Sequence, residues 1–109
     1  MQVKELADVM DLRTFLMPEP DAAVRGGYVG DLLSWVMGRA QEGDAWLTIM
    51  SNQNVAAVAL MADVACVVLT EGVEPDEALM QRAGQQRINL LGTGLSTFDA
   101  AAVLKQLLR

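Results

Sequence analysis

The side chains of this sequence that could do chemistry are mostly small polar groups clustered beside glycines, and the chemistry they suit is anion binding. Four segments hold them: Gly26-Gly27-Tyr28, Ser51-Asn52-Gln53-Asn54, Thr70-Glu71-Gly72 and Gly92-Thr93-Gly94-Leu95-Ser96-Thr97. Glycines let a ligand approach the main chain closely, and a helix N-terminus adds unpaired N–H groups that favour negative charge. The candidate ligand contacts are therefore Gly26 and Gly27 for backbone approach, with Tyr28 as an aromatic wall. Ser51, Asn52 and Asn54 are polar donors, and Thr93, Ser96 and Thr97 form an anion-facing set. The same residues also admit a purely structural role, in which Ser51, Asn52, Ser96 and Thr97 cap helices while the glycines make turns. A ligand of this kind would be a nucleotide or another anionic metabolite.

Much other chemistry is excluded. The 109 residues contain no histidine, which removes Ser-His and Cys-His nucleophilic pairs, imidazole acid-base catalysis and His-ligated metals. A single cysteine excludes an intrachain disulfide and a thiolate-rich metal site; Cys66, within Ala65-Cys66-Val67-Val68-Leu69, reads as a buried thiol. No Gly-x-x-x-x-Gly-Lys-Ser/Thr run is present, and in Gly92-Thr93-Gly94 the third glycine of a dinucleotide loop is replaced by Thr97. Carboxylates remain as acid-base candidates, with Glu71, Glu74, Asp76 and Glu77 close in sequence, although acidic groups in a first helical turn stabilise the helix dipole. A small enzyme using them ranks third among the functional readings. No catalytic residue, metal ligand or cofactor is assigned. Arg25, beside the glycine pair, is suited to a phosphate, a carboxylate or a surface ion pair.

Charge and hydropathy narrow the partners. Eight basic against 14 acidic residues give a net charge of -6, which disfavours electrostatic binding to nucleic acid or anionic membranes. The longest apolar stretch, Val55 to Leu69, is broken by Asp63 and falls about five residues short of the roughly 20 that span a bilayer. Residues 1–8 lack the basic-then-apolar layout of a signal peptide, so the expected location is the cytoplasm.

The elements that position these residues follow from periodicity. Val3, Leu6, Ala7 and Met10 have helical spacing, and Leu12–Met17 reads as a strand before the loop Met17-Pro18-Glu19-Pro20-Asp21. Val24–Val29 extends through the glycines, and Asp31 stands where a helix cap would precede Leu32–Met37. Gly43-Asp44 turns the chain into strand Ala45–Met50; a helix over about Asn54–Ala62 leads to strand Ala65–Leu69, with Asp63 closing the helix. Pro75 and Asp76 open a helix ending near Gln86, Ile88–Leu91 is a short strand, and Ala100, Val103, Leu104, Leu107 and Leu108 supply the apolar face of a capped final helix. Strands alternating with roughly 10-residue helices indicate an α/β fold: one domain over 1–109, a mainly parallel sheet with helices on both faces. The near-continuous apolar strands Trp46–Ile49 and Cys66–Leu69 belong at its centre, and the polar loops, Gly26-Gly27-Tyr28 included, are expected along one rim.

Two helices are too apolar for a single packing face. Leu32, Leu33, Trp35, Val36 and Met37 cover more than one stripe, and Val55–Met61 is apolar all round. The first set is the candidate dimer interface, with a symmetric homodimer as the expected assembly.

Val24-Arg25-Gly26-Gly27-Tyr28-Val29-Gly30-Asp31-Leu32-Leu33-Ser34, then Ser51-Asn52-Gln53-Asn54-Val55-Ala56-Ala57-Val58-Ala59, then Leu95-Ser96-Thr97-Phe98 resemble, in order and distance, a DRTGG domain, from Val3 to the last helix. Ala23-Val24-Arg25-Gly26-Gly27 is the stretch nearest the pentapeptide that names that family. The resemblance implies a small α/β domain similar to the N-terminal domain of HPr kinase/phosphorylase, also found in some phosphotransacetylases and nucleotide-regulated pyrophosphatases, where it is accessory and catalysis lies elsewhere. Standalone members similar to this chain lie near iron hydrogenase and signalling genes. The resulting expectation is a non-catalytic regulatory or ligand-sensing homodimer acting on an oxidoreductase (hydrogenase-linked) or signalling protein partner. The alternative is a subunit-assembly module without a small-molecule ligand.

Overall fold

The computed structural model describes residues 1–108. In chain order the elements are α1 (Val3–Val9), β1 (Arg13–Leu16), β2 (Gly26–Val29), α2 (Leu33–Arg39), β3 (Asp44–Thr48), α3 (Asn54–Ala62), β4 (Cys66–Leu69), α4 (Glu77–Gln85), β5 (Leu90–Gly92) and α5 (Thr97–Leu107). The strands form one sheet in the order β1-β5-β4-β3-β2. β2, β3, β4 and β5 run parallel, and β1 closes the far edge antiparallel to β5. The mainly parallel α/β fold read from the sequence is the fold observed.

Strand alternation builds two cores. Ala45, Leu47, Cys66, Val68 and Leu91 face α1 and α5, meeting Val3, Leu6, Ala100 and Leu104. Trp46, Val67, Leu69 and Leu90 face the other way, toward Val36, Val55 and Leu79 on α2, α3 and α4. Every residue of β3 and β4 is buried, as covered parallel strands require. Burial of Cys66 pushes its thiol pKa up to about 12, because an apolar surrounding disfavours the thiolate.

The loop holding Pro18 and Pro20 is fastened rather than loose. Asn89, buried at the foot of β5, accepts from the Glu19 N–H at 2.9 Å and donates to the Glu19 and Ala65 carbonyls at 2.7 and 2.9 Å. Arg87 adds bonds to the Glu19 carboxylate and the Pro18 carbonyl.

Three local expectations are corrected. Asp31 does not cap α2: the cap position is Leu32, which makes no side-chain bond, and Asp31 Oδ1 instead accepts from Thr48 Oγ1 (2.8 Å) and the Ile49 N–H (3.0 Å). It ties the loop after β2 to the end of β3. Val36 is fully buried in the core beneath α2 and so is absent from the surface that Leu32, Trp35 and Met37 leave exposed; Leu33 is half-buried. Gly26-Gly27-Tyr28 is strand, not rim loop, because Gly26 pairs with Asp44 at the start of β3. In contrast, Asp63 ends α3 in the left-handed conformation, φ 56°, as its place after the apolar run suggested.

Candidate functional site

The structure divides the ligand-contact candidates between two places. Ser51, Asn52, Asn54, Thr93, Ser96 and Thr97 lie where β3 and β5 feed into α3 and α5, at the carboxyl ends of the parallel strands. Gly26, Gly27 and Tyr28 lie on the edge strand β2; Gly27 faces Leu104 of α5, whereas the Tyr28 side chain packs on the opposite face beside Val36 and so does not supply the expected aromatic wall.

At the rim the polar groups serve one another. Asn52 Oδ1 accepts from the Asn54 N–H (2.9 Å), Ser96 Oγ from the Asp99 N–H (3.1 Å) and Thr93 Oγ1 from the Leu95 N–H (3.2 Å). Thr70 Oγ1 and Thr97 Oγ1 share a 2.6 Å bond. The Thr97 N–H, which heads α5, donates to Glu71 Oε2 at 2.8 Å. Glu71 thereby sets its own carboxylate where an anion would meet the positive end of the helix, and it does so from the left-handed region at φ 61°. Sequence reasoning did not anticipate this contact, since nothing in Thr70-Glu71-Gly72 indicates which helix it will face. The remaining rim carboxylates disperse: Glu74 pairs with Arg13, and Asp76 caps α4 by accepting from the Leu79 N–H (2.8 Å). Among the described residues no group of carboxylate and thiol side chains could hold a metal ion.

The second place is a cleft of about 430 Å³ between β2 and the last two turns of α5. Its floor is the bare Gly26-Gly27 main chain, Leu104 and Leu108 form an apolar wall, and Arg25 and Lys105 bring two cations. Leu104 lies close over Gly27, where a Cβ would come within 2.7 Å of Leu104 Cδ2 and displace that methyl. Among the described residues no carboxylate lines the cleft. Arg25 pairs with Glu42 at 3.7 Å, both side chains two-thirds exposed, a weak pair in water. Lys105 and the helix wall are functional candidates that sequence reading missed. Ala101, Leu104, Lys105 and Leu108 have the spacing of one helical face, yet which strand that face covers is a tertiary fact.

A family model for the DRTGG domain matches residues 31–107. The chain belongs to the DRTGG domain family. The match begins at Asp31, so Arg25-Gly26-Gly27-Tyr28 precedes it, whereas the rim segments and α5 lie inside. Among curated proteins no sequence matches the chain. Among solved structures, the chain is similar to the CBS and DRTGG domains of the regulatory region of Clostridium perfringens pyrophosphatase, a crystal structure complexed with the activator diadenosine tetraphosphate. The TM-score is 0.73 and the identity 16%, over 96% of this chain and 46% of that one. This DRTGG domain thus spans about half the length of the regulatory region it matches, and the likeness is one of fold. Among the described residues no helix is long and apolar enough to cross a membrane.

Proposed function

We propose that the chain is a non-catalytic regulatory domain that senses a small anionic ligand, such as a nucleotide or anionic metabolite, in the cleft between β2 and α5. The observation that carries this reading is the cleft's composition: two cations and a glycine main chain, with no carboxylate among the described lining residues, in a protein of net charge -6. A local positive field in an acidic molecule concentrates anions where they can bind. Two lines support it. The chain belongs to a family whose structural neighbour is part of a regulatory region crystallised with a nucleotide activator, and at the rim the hydroxyls of Thr93, Ser96 and Thr97 and the Asn52 carbonyl oxygen are already engaged internally, which favours the cleft over the rim. The regulated partner would be an oxidoreductase or signalling protein, in the cytoplasm.

A thermal-shift screen of nucleotides, acyl phosphates and inorganic anions tests the reading, because a ligand that binds only the folded state raises its apparent stability. A saturable rise in Tm, lost in the Arg25→Glu/Lys105→Glu double variant, is expected. Absence of any shift across the panel would overturn it.

The second reading, an assembly module without ligand, is favoured by the exposed side chains of Leu32, Trp35 and Met37. Leu32 and Trp35, three residues apart, share one flank of α2 and Met37 lies on the other, apolar surface suited to a second copy of the chain. Homodimerisation through this face is compatible with ligand sensing, since α2 and the cleft are on different faces of the sheet.

A further inference from the structure

The two edges of the sheet are not treated alike. At β1 the outer edge carries Arg13, ion-paired to Glu74, and the pairing with β5 is irregular between Thr14 and Leu16; charges and bulges of this kind blunt an edge against added strands. β2 has no such protection, since Gly26-Gly27-Tyr28-Val29 contains neither charge nor proline and ends the sheet order. The Gly30 N–H donates to the Leu47 carbonyl, and Val29 is the residue in register with Leu47. In a parallel ladder that pattern turns the backbone groups of Tyr28 and Gly30 toward β3 and those of Gly27 and Val29 away from it. Gly27 and Val29 are the two exposed residues of the strand.

We propose that this edge receives an extended, carboxylate-bearing segment of a partner protein as an additional strand. The main chain of the segment would pair with the free N–H and C=O groups of Gly27 and Val29, and alternate side chains would enter the cleft beside α5. Charge selects the chemistry. Among the described residues Arg25 and Lys105 are the ionised groups lining the cleft, so carboxylates on the inward-facing positions are attracted, while lysines there meet like charge. Gly27 and Val29 also line the cleft, so the proposal concerns the same edge as the small-anion reading, but it adds main-chain pairing that a small anion does not need. Where both hold, segment and anion compete for the same cations, and ligand binding releases the partner.

The test uses a synthetic peptide of about six residues, the usual strand length, alternating valine with glutamate, and a counterpart alternating valine with lysine. Binding is followed by fluorescence anisotropy. Saturable binding of the glutamate peptide is expected, weakened about tenfold or more for the lysine peptide and for the Lys105→Glu variant. Val29→Pro should abolish binding, because its ring replaces an N–H that points away from β3 and leaves the β2–β3 ladder intact. Slower hydrogen exchange of the Gly27 and Val29 amides in the wild-type complex checks the same pairing without a variant. Equal binding of the two peptides, undiminished binding by Val29→Pro, or unchanged exchange at Gly27 and Val29 overturns the proposal. So does a wild-type dimer that Val29→Pro dissociates, which would assign the edge to a second copy of this chain. Wild-type protein that shows a small-anion thermal shift but no glutamate-peptide binding fails the strand proposal alone, and peptide binding without any small-anion shift fails the anion reading alone, so the two failures are separable.

Discussion

Single residues here hold loops to strands more than they await substrates. Asn89 is the strongest case, since its buried amide satisfies both main-chain groups of Glu19 and the Ala65 carbonyl. Removing it strands several buried polar groups at once, and Asn89→Ala should cost about 2–4 kcal/mol in urea denaturation; a loss no larger than that of an ordinary surface substitution would contradict this assignment. Ser96→Ala removes only one cap bond from α5, so the same assay should read about 1 kcal/mol. For Cys66 the folded chain holds the thiol proton more tightly than the unfolded chain, with a pKa about 12 against 9.0. Its contribution is therefore complete below the unfolded value and is lost as pH rises from there through the folded one. Native protein should resist thiol reagents near neutral pH and react only as fast as it unfolds; rapid labelling without unfolding would place the thiol at the surface.

At the scale of elements, close packing decides where glycine is needed. A Cβ on Gly92 would lie 2.6 Å from the Phe15 ring, where β5 meets β1. Gly92→Ala should destabilise by about 1–3 kcal/mol, read as a lower Tm, and an unchanged Tm would mean that the ring yields freely. Almost every helix and strand was legible in the sequence, because periodicity and turn residues are local signals: the buried runs at Ala45–Thr48 and Cys66–Leu69, the cap at Asp76, the left-handed stop at Asp63. Asp31 shows the limit. An aspartate before an apolar run has the pattern of a cap, yet its acceptor is drawn to Thr48 on a strand that sequence spacing does not bring near. The candidate site was half legible for the same reason. Glycines and rim hydroxyls stand out as residue types, but the helix face that covers Gly26-Gly27, with Lys105 on it, appears only once α5 packs on the sheet.

For the whole molecule, the balance of charge and exposed apolar surface matters most. Leu32, Trp35 and Met37 remain exposed on α2, Trp35 with the Arg39 guanidinium 3.9 Å above its ring. If this face joins two copies, sedimentation should give a dimer mass that falls to monomer in Trp35→Glu, while a wild-type monomer at all concentrations would remove the interface. The central claim is that an anion is read at the edge of the sheet rather than at the carboxyl rim. An amide-resolved NMR titration of the chain with a nucleotide that raises its Tm measures this most directly. Shifts confined to Arg25, Gly26, Gly27 and the Lys105 turn are the predicted result; shifts at Asn54, Thr93 and Thr97 with the β2 edge silent would contradict it.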